Sequence, residues 1–196
     1  MKIQNSLKHL FISQTRVKLI NTLFYFPQEI YYVRQLVRIT EEEINSVRRE
    51  LDNLKKADIV KSEWRGNRLY YWANRESSLF LDLLTLANKN AGLGLVLQNK
   101  TELSGKIKLL FYNYKLVSGE NKEGAIDLVI VGNVLLKEVE SAIKLEEEKR
   151  GREINYMIMD KGEFQLRKQK RDQFIVDFFL SSPLVIIGNP REIINI

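Results

Sequence analysis

Residues Thr40 to Asp58, TEEEINSVRRELDNLKKAD, constrain this chain more than any other stretch, because they spell one amphipathic helix that runs into a hairpin. Ile44, Val47, Leu51 and Leu54 recur at helical spacing, so at about 100° per residue they form a single apolar stripe that must face a core. The same geometry sets Glu42, Asn45, Ser46, Arg49, Asp52 and Lys56 on the opposite side, with Arg48 on the flank. Thr40, followed three residues later by Glu43, has the form of a capping box and predicts that the helix starts there. Next come the β-rich runs Ile59 to Trp64 and Arg68 to Ala73, separated by Arg65-Gly66-Asn67, a connection with turn chemistry. Trp64 and Trp72 lie on those strands and read as packing residues.

The elements on either side extend the pattern. Ser6 to Phe26 is dense in apolar residues at helical spacing, and His9 among them reads as a core or boundary histidine. Pro27 closes that element. Ile30, Val33, Leu36, Val37 and Ile39 mark a second helix that ends before Thr40. Ser77 to Asn90 predicts a connecting helix and Leu93 to Leu103 a shorter one. From Lys106 the pattern changes to strands at Ile107 to Tyr112, Ile126 to Val131, Ile154 to Met159 and Leu184 to Ile187. These alternate with helices at Leu135 to Arg150 and Lys161 to Leu180. The expected fold class is α+β in two domains, 1–90 and 91–196, the second a small α/β unit. The run Glu146 to Arg150 reads as a solvated helix end, and the cluster Arg167, Lys168, Lys170, Arg171 as a solvated face in preference to a phosphate site, because Glu163, Asp172 and Asp177 interrupt it.

Composition narrows the chemistry. Of 196 residues, 44% are hydrophobic and 29% charged, as in an ordinary globular protein. No apolar run reaches membrane-span length and the N-terminus lacks a signal-peptide block, so a cytoplasmic protein with no membrane partner is expected. With no cysteine and one histidine, disulfides, thiolate metal sites, Cys nucleophiles and His-based triads are excluded. The net charge of +6 is uneven: residues 1–75 hold 14 Lys or Arg against 8 Asp or Glu, and residues 76–196 hold 17 against 17. The basic excess sits in the half that carries the helix and hairpin, which suits phosphate neutralisation.

A helix followed by a basic-tipped hairpin is the winged helix-turn-helix arrangement, in which the helix enters the major groove and the hairpin reaches the neighbouring backbone. The segments IYYVRQLVRIT, INSVRRELDNLKKADIVKSE and GNRLYYWAN resemble the ArsR-type winged-helix domains of prokaryotic transcriptional regulators. The segments LLFYNY, AIDLVIVGN, GREINYMIM and PLVIIGN resemble a small nucleotidyltransferase domain of the DNA-polymerase-β superfamily. Active members of that superfamily hold triphosphate with a Gly-Ser pair after the first strand. An Asp-x-Asp and a third acid bind two Mg²⁺ ions. Here Asn113-Tyr114 stands where Gly-Ser belongs and Ala125-Ile126-Asp127 where Asp-x-Asp belongs, leaving Asp127 and Glu153 as remnant candidates. A slipped alignment would instead enlist Ser118-Gly119-Glu120. Asp127 is either a relic metal ligand or a strand-end acid bonded to loop backbone.

The resemblance thus implies a DNA-binding regulator with a catalytically degenerate second domain that has become a ligand sensor or a dimerisation platform. It implies no catalytic residue and no cofactor beyond weak Mg²⁺ or nucleotide retention. The alternative is an active nucleotidyltransferase that modifies a protein or RNA. The expected partners are double-stranded DNA and a second copy of the chain, because palindromic sites call for a dimer. Asn45, Ser46 and Arg49 are expected at base edges, and Arg48, Lys56, Arg65, Asn67 and Arg68 at phosphates.

Overall fold

A computed structural model describes residues 11–100, 103, 105–120, 125–189 and 191; the reading of His9 lies outside these. The fold is mixed α+β with two separate sheets. The chain divides into two compact units between Asn90 and Ala91. No helix among the described residues is long and apolar enough to cross a membrane.

The first unit runs α1 (Gln14–Tyr25), β1 (Tyr31–Tyr32), α2 (Val33–Thr40), α3 (Ile44–Lys56), β2 (Val60–Arg65), β3 (Arg68–Ala73) and α4 (Phe80–Asn90). The strands form an antiparallel sheet in the order β1-β3-β2. The apolar stripe of α3 behaves as its spacing dictates: Val47, Leu51 and Leu54 are buried with Leu19, Leu23 and Phe24 of α1 and Leu84 of α4. Each such aliphatic side chain stabilises the fold by about 1.5–3 kcal/mol relative to exposure. Ile30 and Ile39, expected on the core face of one helix, are exposed. Tyr31 and Tyr32 instead pair with Tyr71 and Tyr70 as a short strand, which delays the start of α2.

The start of α3 also differs from expectation. Thr40 stays in α2, where its hydroxyl donates to Leu36 O at 2.7 Å, and Glu41 ends that helix in the left-handed region at φ 55°. Glu43 is the cap: its carboxylate accepts from the Asn45 and Ser46 amides at 2.8 and 3.0 Å. An acid in that position also sits favourably at the positive end of the helix dipole.

The second unit comprises α5 (Gly92–Asn99), β4 (Ile107–Tyr112), α6 (Tyr114–Ser118), β5 (Leu128–Gly132), α7 (Leu136–Arg150), β6 (Tyr156–Met159), α8 (Lys161–Gln169), α9 (Gln173–Leu180) and β7 (Leu184–Ile187). Its sheet has the order β6-β5-β4-β7, with β5 and β6 parallel and the other pairs antiparallel. Central β5 is buried along its whole length, which is why it reads as an unbroken apolar run. Phe164 of α8 and Ile175 and Phe178 of α9 pack with Leu109, Phe111, Val129 and Val131 of the sheet. The single helix expected from Lys161 to Leu180 is two: Arg171 turns left-handed at φ 49° and Asp172 caps the second by accepting from the Ile175 amide. Two supposedly solvated runs are partly buried. Glu146 and Arg150 form a buried ion pair at 2.7 Å, with Arg150 Nη1 also donating to Leu116 O. Lys168 is buried with its ammonium 5.7 Å from the Phe164 ring.

Candidate nucleic-acid interface

Three side chains of α1 hold α3 and the turn that leads into it. Arg16 Nε meets Glu50 Oε2 at 2.8 Å, Lys18 Nζ meets Glu42 Oε1 at 2.7 Å and Thr40 O at 2.8 Å, and the Thr15 hydroxyl donates to Glu42 Oε2 at 2.9 Å. Glu50 lies among Val47, Leu51 and Leu54 on the inward face, and its side chain is only 5% exposed. Burial pushes its carboxyl up, but hydrogen bonds from Ser13, Arg16 and Asn53 outweigh that and hold it below the ordinary glutamate range. Hydrogen bonds from Lys18 and then Thr15 do the same for Glu42. The backbone amides of Asn45 and Ser46 do so for Glu43.

With its inner face tied to α1, α3 turns its other face outward. Asn45, Arg48, Arg49 and Lys56 are exposed and Ser46 is half-buried. At a helical rise of 1.5 Å, Asn45 and Lys56 stand about 16 Å apart along the axis. The hairpin tip Arg65-Gly66-Asn67-Arg68 is exposed. Arg65 pairs with Arg68 across it, leaving a two-residue turn rather than the three-residue connection expected. Gly66, at φ 60°, occupies the first central position, the place a II′-type hairpin turn reserves for glycine.

The cations of this face are unequally engaged. Arg65 Nε meets Glu63 at 2.9 Å, and its guanidinium sits 5.7 Å from the Tyr70 ring. Arg68 stacks on the Tyr32 ring at 4.9 Å. Arg48, Arg49, Lys56 and Arg68 form no ion pair with any described residue. Such guanidinium groups can donate two parallel hydrogen bonds to a phosphate or to a guanine edge. Arg48, Asn67 and Arg68 line one cleft between α3 and the hairpin, about 670 Å³ in volume. Trp64 also lines it and is 68% exposed, so it is not the packing residue its strand position suggested. The α1 clamp escaped sequence reading, although Glu50 was a visible signal: an acid on an apolar helix face requires a partner.

In the second unit the remnant carboxylate is occupied. Arg152 grips Asp127 with both Nη atoms, at 2.9 Å to Oδ1 and 3.1 Å to Oδ2, and the Asn155 amide donates to Oδ2 at 3.0 Å. Asp127 is buried while Glu153 is exposed, its carbonyl accepting from Arg152. Among the described residues no three His, Cys, Asp or Glu side chains gather as a metal-binding group. Asn113 caps α6, accepting from the Lys115 amide, and its own amide donates to Asp127 O at 2.7 Å. Ser118-Gly119-Glu120 forms the end of α6, with Gly119 left-handed at φ 80°. A guanidinium already neutralises the acid, so these residues do not fit a two-metal centre. No family model, curated protein or solved structure matches the chain.

Proposed function

We propose that the chain is a prokaryotic DNA-binding transcriptional regulator: a winged helix-turn-helix followed by a catalytically degenerate nucleotidyltransferase-like unit. One observation carries this reading. A single helix face and the adjoining hairpin tip hold Arg48, Arg49, Lys56 and Arg68 exposed and, among the described residues, without a direct ion pair, in the half of the chain that carries its basic excess. Basic groups gathered on one face raise the local positive potential, which favours phosphate contact and counterion release. Asn45, Ser46 and Arg49 read base edges; Arg48, Lys56, Arg65, Asn67 and Arg68 hold phosphates and set the register. The Glu50 contact holds α3 and the Glu42 contacts hold the turn before it, which gives the helix the rigid seat that such reading needs. The protein works in the cytoplasm as a homodimer on a two-fold site, with the second unit serving as a sensor or a dimerisation platform.

Selection of bound sequences from a random duplex pool tests the assignment. The wild-type protein enriches a defined site, and Arg49→Ala binds with relaxed preference at the contacted position, losing about 1–3 kcal/mol of discrimination there. A pool that shows no enrichment refutes it. The rival reading, an active nucleotidyltransferase, is disfavoured by Arg152 on Asp127. Transfer of labelled nucleotide to a lysate component, abolished by Asp127→Ala, would establish the rival.

A further inference from the structure

The cleft between α3 and the hairpin has a chemistry that duplex binding does not exhaust. Trp64 pairs with Leu69 in the ladder, and Tyr71 lies two residues further along β3, so the three share one face of the hairpin and form an apolar, aromatic wall. Arg48 and Asp52 of α3 face into the same space, and Arg34 of α2 and Arg68 of β3 complete its lining. Arg34, Arg48 and Arg68 form no ion pair with any described residue, and Asp52 is the sole acid in the lining. The volume of about 670 Å³ lies within the range of small-molecule sites.

Each part of this lining asks for a different part of one ligand. Arginines from three elements, Arg34, Arg48 and Arg68, line the cleft and suit phosphate oxygens. The open Trp64 ring suits a planar base. Asp52 can accept from an exocyclic amine or a ribose hydroxyl. A bare phosphate would leave the Trp64 and Leu69 wall uncovered, and a purely apolar ligand would strand the arginines. We infer that this cleft binds a free nucleotide, of the nucleoside diphosphate class, and that an occupied cleft cannot engage duplex DNA. The exclusion rests on the DNA-binding reading, because Arg48, Asn67 and Arg68 serve both partners. Such a regulator is switched by direct competition and needs no conformational relay.

The test uses the full chain carrying Trp72→Phe, which leaves Trp64 as the only tryptophan. Its fluorescence is titrated separately with ADP, GDP, CDP and UDP, with calorimetry on the unaltered chain as a second readout. Saturable quenching by at least one of them is expected, weakened about tenfold or more by Arg34→Ala, a loss of about 1.4 kcal/mol. Arg34→Ala should leave duplex affinity unchanged, and the bound nucleotide should displace duplex in a band shift. The proposal fails if no diphosphate gives quench or heat, if inorganic pyrophosphate binds equally well, or if Arg34→Ala leaves nucleotide affinity intact. It fails equally if Arg34→Ala weakens duplex binding as much as Arg48→Ala does, which would make the cleft a seat for backbone phosphate. Nucleotide binding by a chain with no duplex affinity upholds the cleft but refutes the DNA reading and the competition.

Discussion

Replacing Glu50 with Gln probes the contact that seats α3. The carboxylate is nearly enclosed, accepts from Arg16 at 2.8 Å, and accepts more weakly from Asn53 at 3.4 Å. A hydrogen bond between charged groups contributes about 1.5–3 kcal/mol, and stranding a fully buried partner costs about 3–5 kcal/mol. Arg16 is 38% exposed and can recover water, so the cost should lie near the lower figure, about 2 kcal/mol. Both tryptophans, Trp64 and Trp72, lie in the first unit, so their fluorescence reports its unfolding within the full chain. With a urea slope of about 1 kcal/mol per molar for a unit of this size, the midpoint should fall by about 2 M. The difference between wild type and variant should also depend on pH. The folded carboxyl lies below the ordinary value of 4.5, so the contribution is complete above that value and fades as pH falls through the lower folded one. A midpoint that moves less than roughly 0.5 M, or a difference that persists undiminished in acid, would refute the clamp.

Asp127→Ala should destabilise the second unit by about 3 kcal/mol, because it leaves the half-buried Arg152 guanidinium unpaired. Urea unfolding followed by circular dichroism measures this, and an unchanged midpoint for the variant would contradict it. Gly132→Ala places a Cβ 2.2 Å from Lys106 O, a backbone atom that cannot swing aside. It should cost about 3 kcal/mol and lower the thermal midpoint of that unit by about 10–20 °C; an unchanged midpoint would show that β4 can yield. Arg68→Ala should flatten the salt dependence of duplex affinity by about one unit of slope, whereas Arg65→Ala should change it less, since Glu63 already engages that guanidinium. Equal effects in paired salt titrations would contradict that order.

What the sequence disclosed and what it withheld divide along physical lines. The α3 stripe and both hairpin strands were legible because apolar periodicity and turn residues are local signals, and they survived packing at Val47, Leu51, Leu54 and Gly66. The boundary at Thr40 was not. A Thr and a Glu three residues apart fit a capping box, but Thr40 found a better acceptor in Leu36 O within the preceding helix, and Glu43 alone caps α3. Likewise Lys161 to Leu180 carries one helical rhythm, and only Asp172, a good N-cap residue, hinted at the break. Long-range partners were invisible in principle. Glu50 with Arg16, Asp127 with Arg152, and Arg150 with Leu116 O are joined by the fold and not by spacing. In the candidate site the exposure of Asn45, Arg48, Arg49 and Arg68 followed from helix geometry and turn position. The cleft joining Arg48 to Arg68 and Trp64 is made by the packing of α3 against the hairpin and has no local signal.

The central claim is that the outer face of α3 and the hairpin tip meet a nucleic-acid backbone. The most direct measurement is the affinity of the full chain for duplex DNA across a fourfold rise in salt. Arg48, Lys56, Arg65 and Arg68 together predict a logarithmic slope of about −3.6 per bound chain, hence a loss of roughly 150-fold for one chain and about 10⁴-fold for a dimer with both chains engaged. Undetectable duplex affinity at low salt, or an affinity indifferent to salt, would contradict it.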